Sequence, residues 1–212
     1  AGVEAAAAAE VEAAIAKAME SQPTPPSETL VDVFADVDLV PRLGHAPVRE
    51  AEGALPGETK TMSMVEAIRD AQHIAMTANP EVFILGEDVG EPQGGVFGTN
   101  KGLQTEFGNT RVRPTPIAEQ AIIGAALGSS IAGMRPIAEI MFTDFFGVCL
   151  DQIVNHAAKQ RYMSGSATNA PMTIRVQCGG GLGGFGAQHS QSTEAWLLHT
   201  PGVKVIYPSN PI

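Results

Sequence analysis

Cysteine is scarce in this sequence, which limits the redox and metal chemistry that the chain can support. The 212 residues include two cysteines, Cys149 and Cys178. They form neither a C-x-x-C motif nor a zinc-binding pattern with histidine, so we expect no disulfide framework and no metal site. Unpaired thiols are typical of a reducing compartment, and the cytoplasm is therefore the expected location.

Basic residues and long apolar runs are also few. Lys and Arg together number 13 against 23 Asp and Glu, which leaves a formal net charge of −10. Nucleic-acid binding depends largely on clustered Lys and Arg, so this composition disfavours that class of function. No apolar run approaches the roughly 20 residues of a membrane-spanning helix. The alanine-rich, acidic N-terminus is neither a secretory signal nor an Arg-rich transit peptide.

Composition divides the chain into three parts. Residues 1–35 contain an Ala/Glu-rich run that predicts a helix over 3–20, followed by a proline-rich break. Residues 36–59 are punctuated by Pro and Gly and are interpreted as a linker. Residues 60–212 have the pattern of a folded domain. The chain begins without Met and ends just after a predicted strand, so we expect it to be a fragment of a longer protein.

The folded part alternates helical and extended patterns. Apolar spacing predicts helices over 62–78, 117–134, 142–165 and 192–202. Short apolar runs predict strands over 81–89, 110–116, 135–141, 170–178 and 203–209. Ser63 and Glu66 have capping-box spacing at the start of the first of these helices. Strands that alternate with helices indicate an α/β fold, a parallel sheet with helices on both faces.

A glycine run precedes a histidine near the C-terminus. Gly181, Gly183 and Gly186 fit the G-x-G-x-x-G spacing of dinucleotide-binding loops. The strand predicted over 203–209 ends without the acidic residue that would hold a ribose, which disfavours that function. The run is better interpreted as a segment whose glycines have no side chains to crowd a site. It would place His189 at the carboxyl end of a strand, where open α/β sheets bind ligands. A hydrogen-bonded structural histidine is the alternative.

Glu119 is a second candidate, near the start of the helix predicted over 117–134. The helix dipole would favour a carboxylate there. Alternatively, its apolar neighbours would shelter the charge, raise the pKa of the carboxyl and let it share a proton. Composition does not separate these two interpretations. Glu87 and Asp88, at the end of a predicted strand, are assigned a structural role.

Several segments, in this order, resemble the β subunit of the thiamine-diphosphate-dependent 2-oxo acid dehydrogenases. They are VFILGEDVG, TPIAEQAIIGAALG, RPIAEIMFTDFFGVCLDQIVNHAAKQRYMSG and AQHSQSTEAWLLHTPGVKVIYPSNP. The resemblance covers about residues 60–212 and implies the pyrimidine-binding domain of the transketolase-like fold. Residues 1–35 resemble the C-terminal tail of that family's α subunit. The resemblance therefore implies an α–β fused parent chain in which residues 36–59 are the fusion linker.

The resemblance also implies roles for individual residues. Glu119 matches the glutamate that hydrogen-bonds a ring nitrogen of the cofactor's aminopyrimidine, where a shared proton prepares the cofactor to attack the substrate carbonyl. Phe145, which composition alone favours as a core residue, matches the aromatic residue that packs on the pyrimidine ring. His189 matches the histidine linked to proton handling and to acyl transfer onto a lipoyl arm. Glu119 and His189 are thus expected to be catalytic, and Glu119 and Phe145 to bind the cofactor.

The implied cofactors are thiamine diphosphate and Mg²⁺. In this family a GDG motif with a downstream Asn holds magnesium and diphosphate, but it belongs to the α part and does not occur in this sequence. The expected partners are that α part, a second copy in an α2β2-like assembly, and a lipoyl acyltransferase core. With half of an active site and without the family's C-terminal β domain, the chain is expected to be inactive alone.

The implied reaction is oxidative decarboxylation of a 2-oxo acid with acyl transfer to a lipoyl group. A transketolase-type ketol transferase is one alternative, and a structural subunit that keeps the fold without the chemistry is another. The presence of Glu119, Phe145 and His189 together disfavours the structural subunit. The substrate stays open, because FTDFFGVCLDQI resembles acetoin dehydrogenases, GGVFGTNKGL resembles branched-chain enzymes, and pyruvate also fits.

Overall fold

The computed structural model describes residues 2–23, 25–28, 60–179 and 185–208, which fall into two units. The first unit contains helix α1, Gly2–Glu20, and a 3-10 turn at Pro26–Glu28. No residue of α1 is buried, so it has no hydrophobic core of its own. The helix predicted over 3–20 is therefore present, whereas the linker predicted over 36–59 lies outside the described residues.

The second unit alternates strands and helices. Its elements in chain order are α2 Met64–Ala78, β1 Val82–Glu87, α3 Leu103–Phe107, β2 Val112–Thr115, α4 Glu119–Ile131, β3 Arg135–Phe142, a 3-10 turn Thr143–Phe145, α5 Phe146–Asp151, a π-helical turn Gln152–Ala157, α6 Gln160–Met163, β4 Thr173–Gln177 and α7 Glu194–Leu198. No helix among the residues that the structure describes is long and apolar enough to cross a membrane.

The four strands form one parallel sheet in the order β2-β1-β3-β4. Ile84 of β1 lies opposite Val112 of β2 and Ile137 of β3, and Ala138 of β3 lies opposite Ile174 of β4. Because every strand runs in the same direction, all four carboxyl ends meet at one edge of the sheet. We call this the carboxyl edge.

Alternating side chains of the sheet face two hydrophobic cores. Phe83 and Leu85 of β1 belong to a core that includes residues of α4 and α5, whereas Val82 and Ile84 belong to a second core with residues of α2 and α3. This alternation follows from the two-residue period of a strand. Helices therefore cover both faces of the sheet, as the sequence predicts.

Helix α2 begins with the predicted capping box. The backbone N–H of Glu66 donates to Ser63 Oγ at 3.2 Å, and the backbone N–H of Ser63 donates to Glu66 Oε2 at 2.7 Å. These two bonds satisfy backbone donors that the first helical turn leaves unpaired. They also lower the pKa of the Glu66 carboxyl, since hydrogen bonds from Ser63 stabilise the charged form.

The single helix predicted over 142–165 is wrong. Phe142 ends β3, and the segment that follows is divided into a 3-10 turn, α5, the π-helical turn and α6. In the π-helical turn the N–H of Ala158 donates to the carbonyl of Ile153 at 2.9 Å, five residues back rather than four. Such an insertion preserves an apolar face while shifting its phase, so side-chain periodicity alone does not reveal it.

The strand predicted over 203–209 is also not found. Residues 203–208 have no strand structure, and residue 209 lies outside the described residues. Val203 and Val205 pack against the core that contains α4 and α5. Their apolar side chains are thus partly buried by packing on this core, and the same alternating sequence pattern would also fit a strand.

Candidate active site at the carboxyl edge of the sheet

The predicted site residues all follow strands at the carboxyl edge. Glu119 is the first residue of α4, which comes after β2. Phe145 closes the 3-10 turn after β3, and His189 lies on the connection after β4. Because the sheet is parallel, residues distant in sequence are brought to one side of it.

Phe145 and His189 are in direct contact. Their ring centroids are 5.2 Å apart with the planes inclined at 86°, an edge-to-face arrangement. Phe142 approaches the same imidazole at 5.2 Å and 77°. Edge-to-face packing is a favoured geometry for aromatic rings because the positive edge of one meets the negative face of the other. Two phenylalanine rings thus define the orientation of His189.

Hydrogen bonds hold the segment after His189 against the end of β3. The hydroxyl of Thr143 donates to the carbonyl of Gln191 at 2.9 Å, and the hydroxyl of Thr193 donates to the carbonyl of Thr143 at 3.0 Å. The side-chain amide of Gln191 donates to Asp144 Oδ1 at 2.8 Å. Thr143 and Thr193 are buried. This network places His189 beside Phe145, and no local sequence pattern predicts it because its members are about 50 residues apart.

Glycine permits the close approach of the histidine backbone. A Cβ built on Gly179 would collide with the carbonyl group of His189. Gly186 has a φ of +81°, in the left-handed region that favours glycine. Gly181 and Gly183 of the G-x-G-x-x-G pattern lie outside the described residues. The geometry at Gly179 favours the interpretation in which glycine makes room for the histidine.

The charge of Glu119 acts on two neighbours. The pKa of the Glu87 carboxyl is raised by burial first, then by the charges of Asp88 and Glu119. The pKa of the Cys149 thiol is raised to about 11, mainly by burial and further by Glu119. Glu87, for which a structural role is predicted from the sequence, therefore lies in the same electrostatic environment as Glu119. The available signal was that Glu87 ends β1 and Glu119 follows the adjacent strand β2.

Cys149 is a buried thiol one helical turn after Phe145. Its thiol is completely buried in α5, and it approaches the carbonyl oxygen of Phe145 at 3.8 Å. The same thiol experiences the charge of Glu119.

Several buried polar atoms near this edge have no hydrogen-bond partner within the described residues. They are Asp144 Oδ2, Ser190 Oγ and both amide atoms of Gln177. An unsatisfied buried polar group costs about 1–3 kcal/mol, so such atoms are suited to a polar ligand. In the part of the chain that the structure describes, no three His, Cys, Asp or Glu side chains are grouped to hold a metal ion.

Comparison with known families agrees with this geometry. Residues 60–212 match the family described as the transketolase pyrimidine-binding domain. The chain belongs to this family. The parallel sheet with helices on both faces is accordingly a pyrimidine-binding domain, and the residues at its carboxyl edge occupy the ligand-binding side of such a sheet.

Relatives of this pyrimidine-binding domain include β subunits of an acetoin oxidoreductase and of two dehydrogenases. The acetoin:2,6-dichlorophenolindophenol oxidoreductase subunit beta of Bacillus subtilis is 44% identical over 163 residues, which cover 72% of this chain and 47% of the relative. The 2-oxoisovalerate dehydrogenase subunit beta of the same organism is 45% identical, over 71% of this chain and 45% of the relative. The pyruvate dehydrogenase E1 component subunit beta of Rhizobium meliloti is 43% identical, over 74% of this chain and 34% of the relative. The chain spans half or less of the length of these curated relatives.

Proposed function

We propose that this chain is the β part of the first component of a thiamine-diphosphate-dependent 2-oxo acid dehydrogenase. In this role it takes part in oxidative decarboxylation of a 2-oxo acid and in acyl transfer to a lipoyl group. The observation that carries the proposal is the contact between Phe145 and His189 at the carboxyl edge of a pyrimidine-binding domain, with Glu119 at the same edge. Dehydrogenase β subunits among the relatives support the reaction class.

The residues present fit thiamine diphosphate, the cofactor of this transketolase-like family. The ring of Phe145 is only half-buried, so part of it is accessible for packing against an aminopyrimidine. Glu119 supplies a half-buried carboxyl for a ring nitrogen. The unsatisfied atoms of Asp144 and Ser190 provide further polar contacts near His189. We propose that Mg²⁺ is held mainly by the α part, since the GDG motif does not occur in this sequence.

Each side chain then has a defined task. Bound thiamine diphosphate supplies an electron sink for decarboxylation. Glu119 shares a proton with the pyrimidine nitrogen, and Phe145 fixes the plane of that ring. His189, oriented by Phe142 and Phe145, gives or takes a proton during acyl transfer.

The partners follow from the same proposal. The relatives are β subunits by name, which supports an α part as the first partner. A second copy of the chain and a lipoyl acyltransferase core are the others. We retain residues 1–35 as an α-like tail, 36–59 as a linker and 60–212 as the pyrimidine-binding domain. A cytoplasmic location is supported by the two free thiols.

Acetoin is the second candidate substrate. The two acetoin-oxidoreductase β subunits are 44% and 46% identical to this chain, whereas the 2-oxoisovalerate and pyruvate relatives named above are 45% and 43% identical. Such similar values do not select one substrate. A methylene or two in a substrate pocket changes transition-state binding by only about 1–3 kcal/mol, so small differences in pocket shape decide specificity.

The test uses the full parent enzyme with its α part, thiamine diphosphate and Mg²⁺. Dye reduction is measured with pyruvate, 3-methyl-2-oxobutanoate and acetoin for the wild type and for Glu119→Gln. We expect activity on one substrate that falls by about 100-fold or more in the variant, as for loss of a proton-transfer group. Glu81→Gln makes the same chemical change at an exposed position before β1 and should keep full activity.

Two outcomes would contradict the proposal. Full activity of Glu119→Gln would show that the carboxyl of Glu119 takes no part in the reaction. A wild-type enzyme that is inactive on all three substrates but transfers ketol groups between sugars would establish the transketolase-type alternative.

A further inference from the structure

Two further phenylalanines extend the contacts of His189. Phe97 packs edge-to-face on Phe142 at 6.0 Å and on Phe185 at 6.2 Å, and Phe142 and Phe185 lie 5.7 Å apart. Since Phe142 also touches His189, Phe97 is one ring removed from the imidazole. We call these rings, together with Phe145, the aromatic cluster.

Phe97 is carried by a tightly bonded loop. The N–H of Gly95 donates to the carbonyl of Asp88 at 2.8 Å, which ties the loop to the end of β1. The N–H of Gly98 donates to the carbonyl of Gly95 at 2.9 Å, and the N–H of Asn100 donates to the carbonyl of Gly94 at 2.7 Å. These bonds on both sides of Phe97 restrict the backbone from which its ring projects.

A buried polar cluster anchors the loop to the sheet. Glu139 of β3 lies opposite Arg175 of β4 in the strand register, and their side chains form an ion pair. Asn100, which is completely buried, donates from Nδ2 to Glu139 Oε2 at 2.6 Å and accepts from Arg175 at 3.3 Å. We call these three residues the buried clamp.

The loop lies directly on the buried clamp. A Cβ built on Gly95 would be 2.9 Å from Asn100 Nδ2 and 3.3 Å from Glu139 Oε1, and Gly95 has a φ of +84°. Glu139 is 2% exposed, so movement of Asn100 would leave a buried carboxylate with fewer partners. Such a change is strongly unfavourable. The clamp therefore fixes the loop, and the loop fixes Phe97.

We propose that Phe97 is a positioning residue for His189. The buried clamp fixes the loop, the ring of Phe97 holds Phe142, and Phe142 with Phe145 holds the imidazole in the orientation that acyl transfer to a lipoyl group requires. The inference rests on the proposed function, because that function gives His189 its part in acyl transfer. The ring contacts of Phe97 within the described residues are with Phe142 and Phe185, so Phe97 acts on His189 through Phe142.

The experiment separates the two half-reactions in the assembled enzyme. Decarboxylation is followed by dye reduction, and acyl transfer by mass spectrometry of an isolated lipoyl domain. Phe97→Leu keeps an apolar side chain but removes the ring. We expect kcat for acyl transfer to fall about tenfold, since small misplacements of a catalytic group are costly. Dye reduction and the KM for the 2-oxo acid should stay within about twofold of the wild type.

Two further variants complete the test. Phe97→Tyr retains the ring and should restore acyl transfer to near the wild-type rate. Phe107→Leu makes the matched change at a half-buried phenylalanine that packs on His73 and on the core beneath α2. It should leave the ratio of the two half-reactions unchanged, which controls for a general loss of stability.

Equal losses in both half-reactions, or identical behaviour of Phe97→Leu and Phe107→Leu, would overturn the inference while leaving the proposed function intact. So would failure of Phe97→Tyr to restore acyl transfer. A wild-type enzyme that never acylates the lipoyl domain would instead overturn the proposed function, and the inference with it.

Discussion

The ring of Phe145 meets the imidazole of His189 edge-on, with their centroids 5.2 Å apart, although the two residues follow different strands. This contact joins the residue proposed to pack on the cofactor ring to the residue proposed to act in acyl transfer. It implies that cofactor binding and histidine orientation share one side chain.

Phe145→Leu should therefore weaken thiamine diphosphate binding. Loss of an aromatic pair costs about 0.5–1.5 kcal/mol beyond its buried area, so the activation constant for the cofactor should rise roughly two- to tenfold. The constant is obtained by titrating thiamine diphosphate into the assembled apoenzyme. Phe146→Leu, at a neighbouring ring buried in the core, should lower the melting temperature without changing that constant. Equal constants for both variants and the wild type would contradict the role of Phe145.

Glu87→Gln should stabilise the protein more as pH rises. The folded-state pKa of Glu87 is raised by burial and by the charges of Asp88 and Glu119. Folding therefore favours the protonated form of Glu87. In the wild type, the resulting contribution to the free energy of unfolding is present below pH 4.5, the usual pKa of a Glu carboxyl, and is lost as the pH rises through the folded-state pKa. The variant is neutral throughout and escapes that loss.

The measurement is the free energy of unfolding from urea titrations at about pH 4 and about pH 7. The variant should gain relative to the wild type between the two conditions. The gain should shrink when Glu119 is also changed to Gln, because one source of the raised pKa is then removed. If the difference in the free energy of unfolding between Glu87→Gln and the wild type did not change with pH, the pKa of Glu87 would not be raised by folding.

The two thiols should react at different rates with iodoacetamide. Burial raises the pKa of Cys149 to about 11, so at about pH 8 on the order of one in a thousand of these thiols is ionised. Cys178 is half-buried on the connection after β4 and is sterically more accessible. Peptide mass spectrometry of the native protein should show Cys178 alkylated at least about tenfold faster. Urea should abolish the difference, and comparable rates without urea would contradict the buried position of Cys149.

Ile123→Ala tests the core between α4 and the sheet. Ile123 is completely buried in that core, so its truncation should lower the free energy of unfolding by about 2–5 kcal/mol. Ile74 of α2 is 66% exposed, and Ile74→Ala should change the free energy by no more than about 0.5 kcal/mol. Chemical denaturation of both variants provides the comparison. A loss below 1 kcal/mol for Ile123→Ala would mean that the core is less tightly packed than the structure indicates.

Local signals account for much of the fold. The capping box at Ser63, the buried run of β1 and the helix that begins near Glu119 were all predictable, because each depends on neighbours within a few residues. The alternation of such elements was sufficient for a parallel sheet with helices on both faces. The roles of Glu119, Phe145 and His189 in the site were inferred from a family resemblance. They stay predictions until the variants are measured.

By itself, the sequence determined the type and order of most elements, since hydrophobic period and capping are local properties. Tertiary structure alone decided the π-helical turn after α5, the lack of strand structure over residues 203–208, and which side chains are in contact. Phe97 packs with the rings beside His189, and Asn100 bonds to Glu139, because the sheet places β1, β3 and β4 side by side. Contacts between residues so distant in sequence depend on strand order, and no local pattern encodes that order.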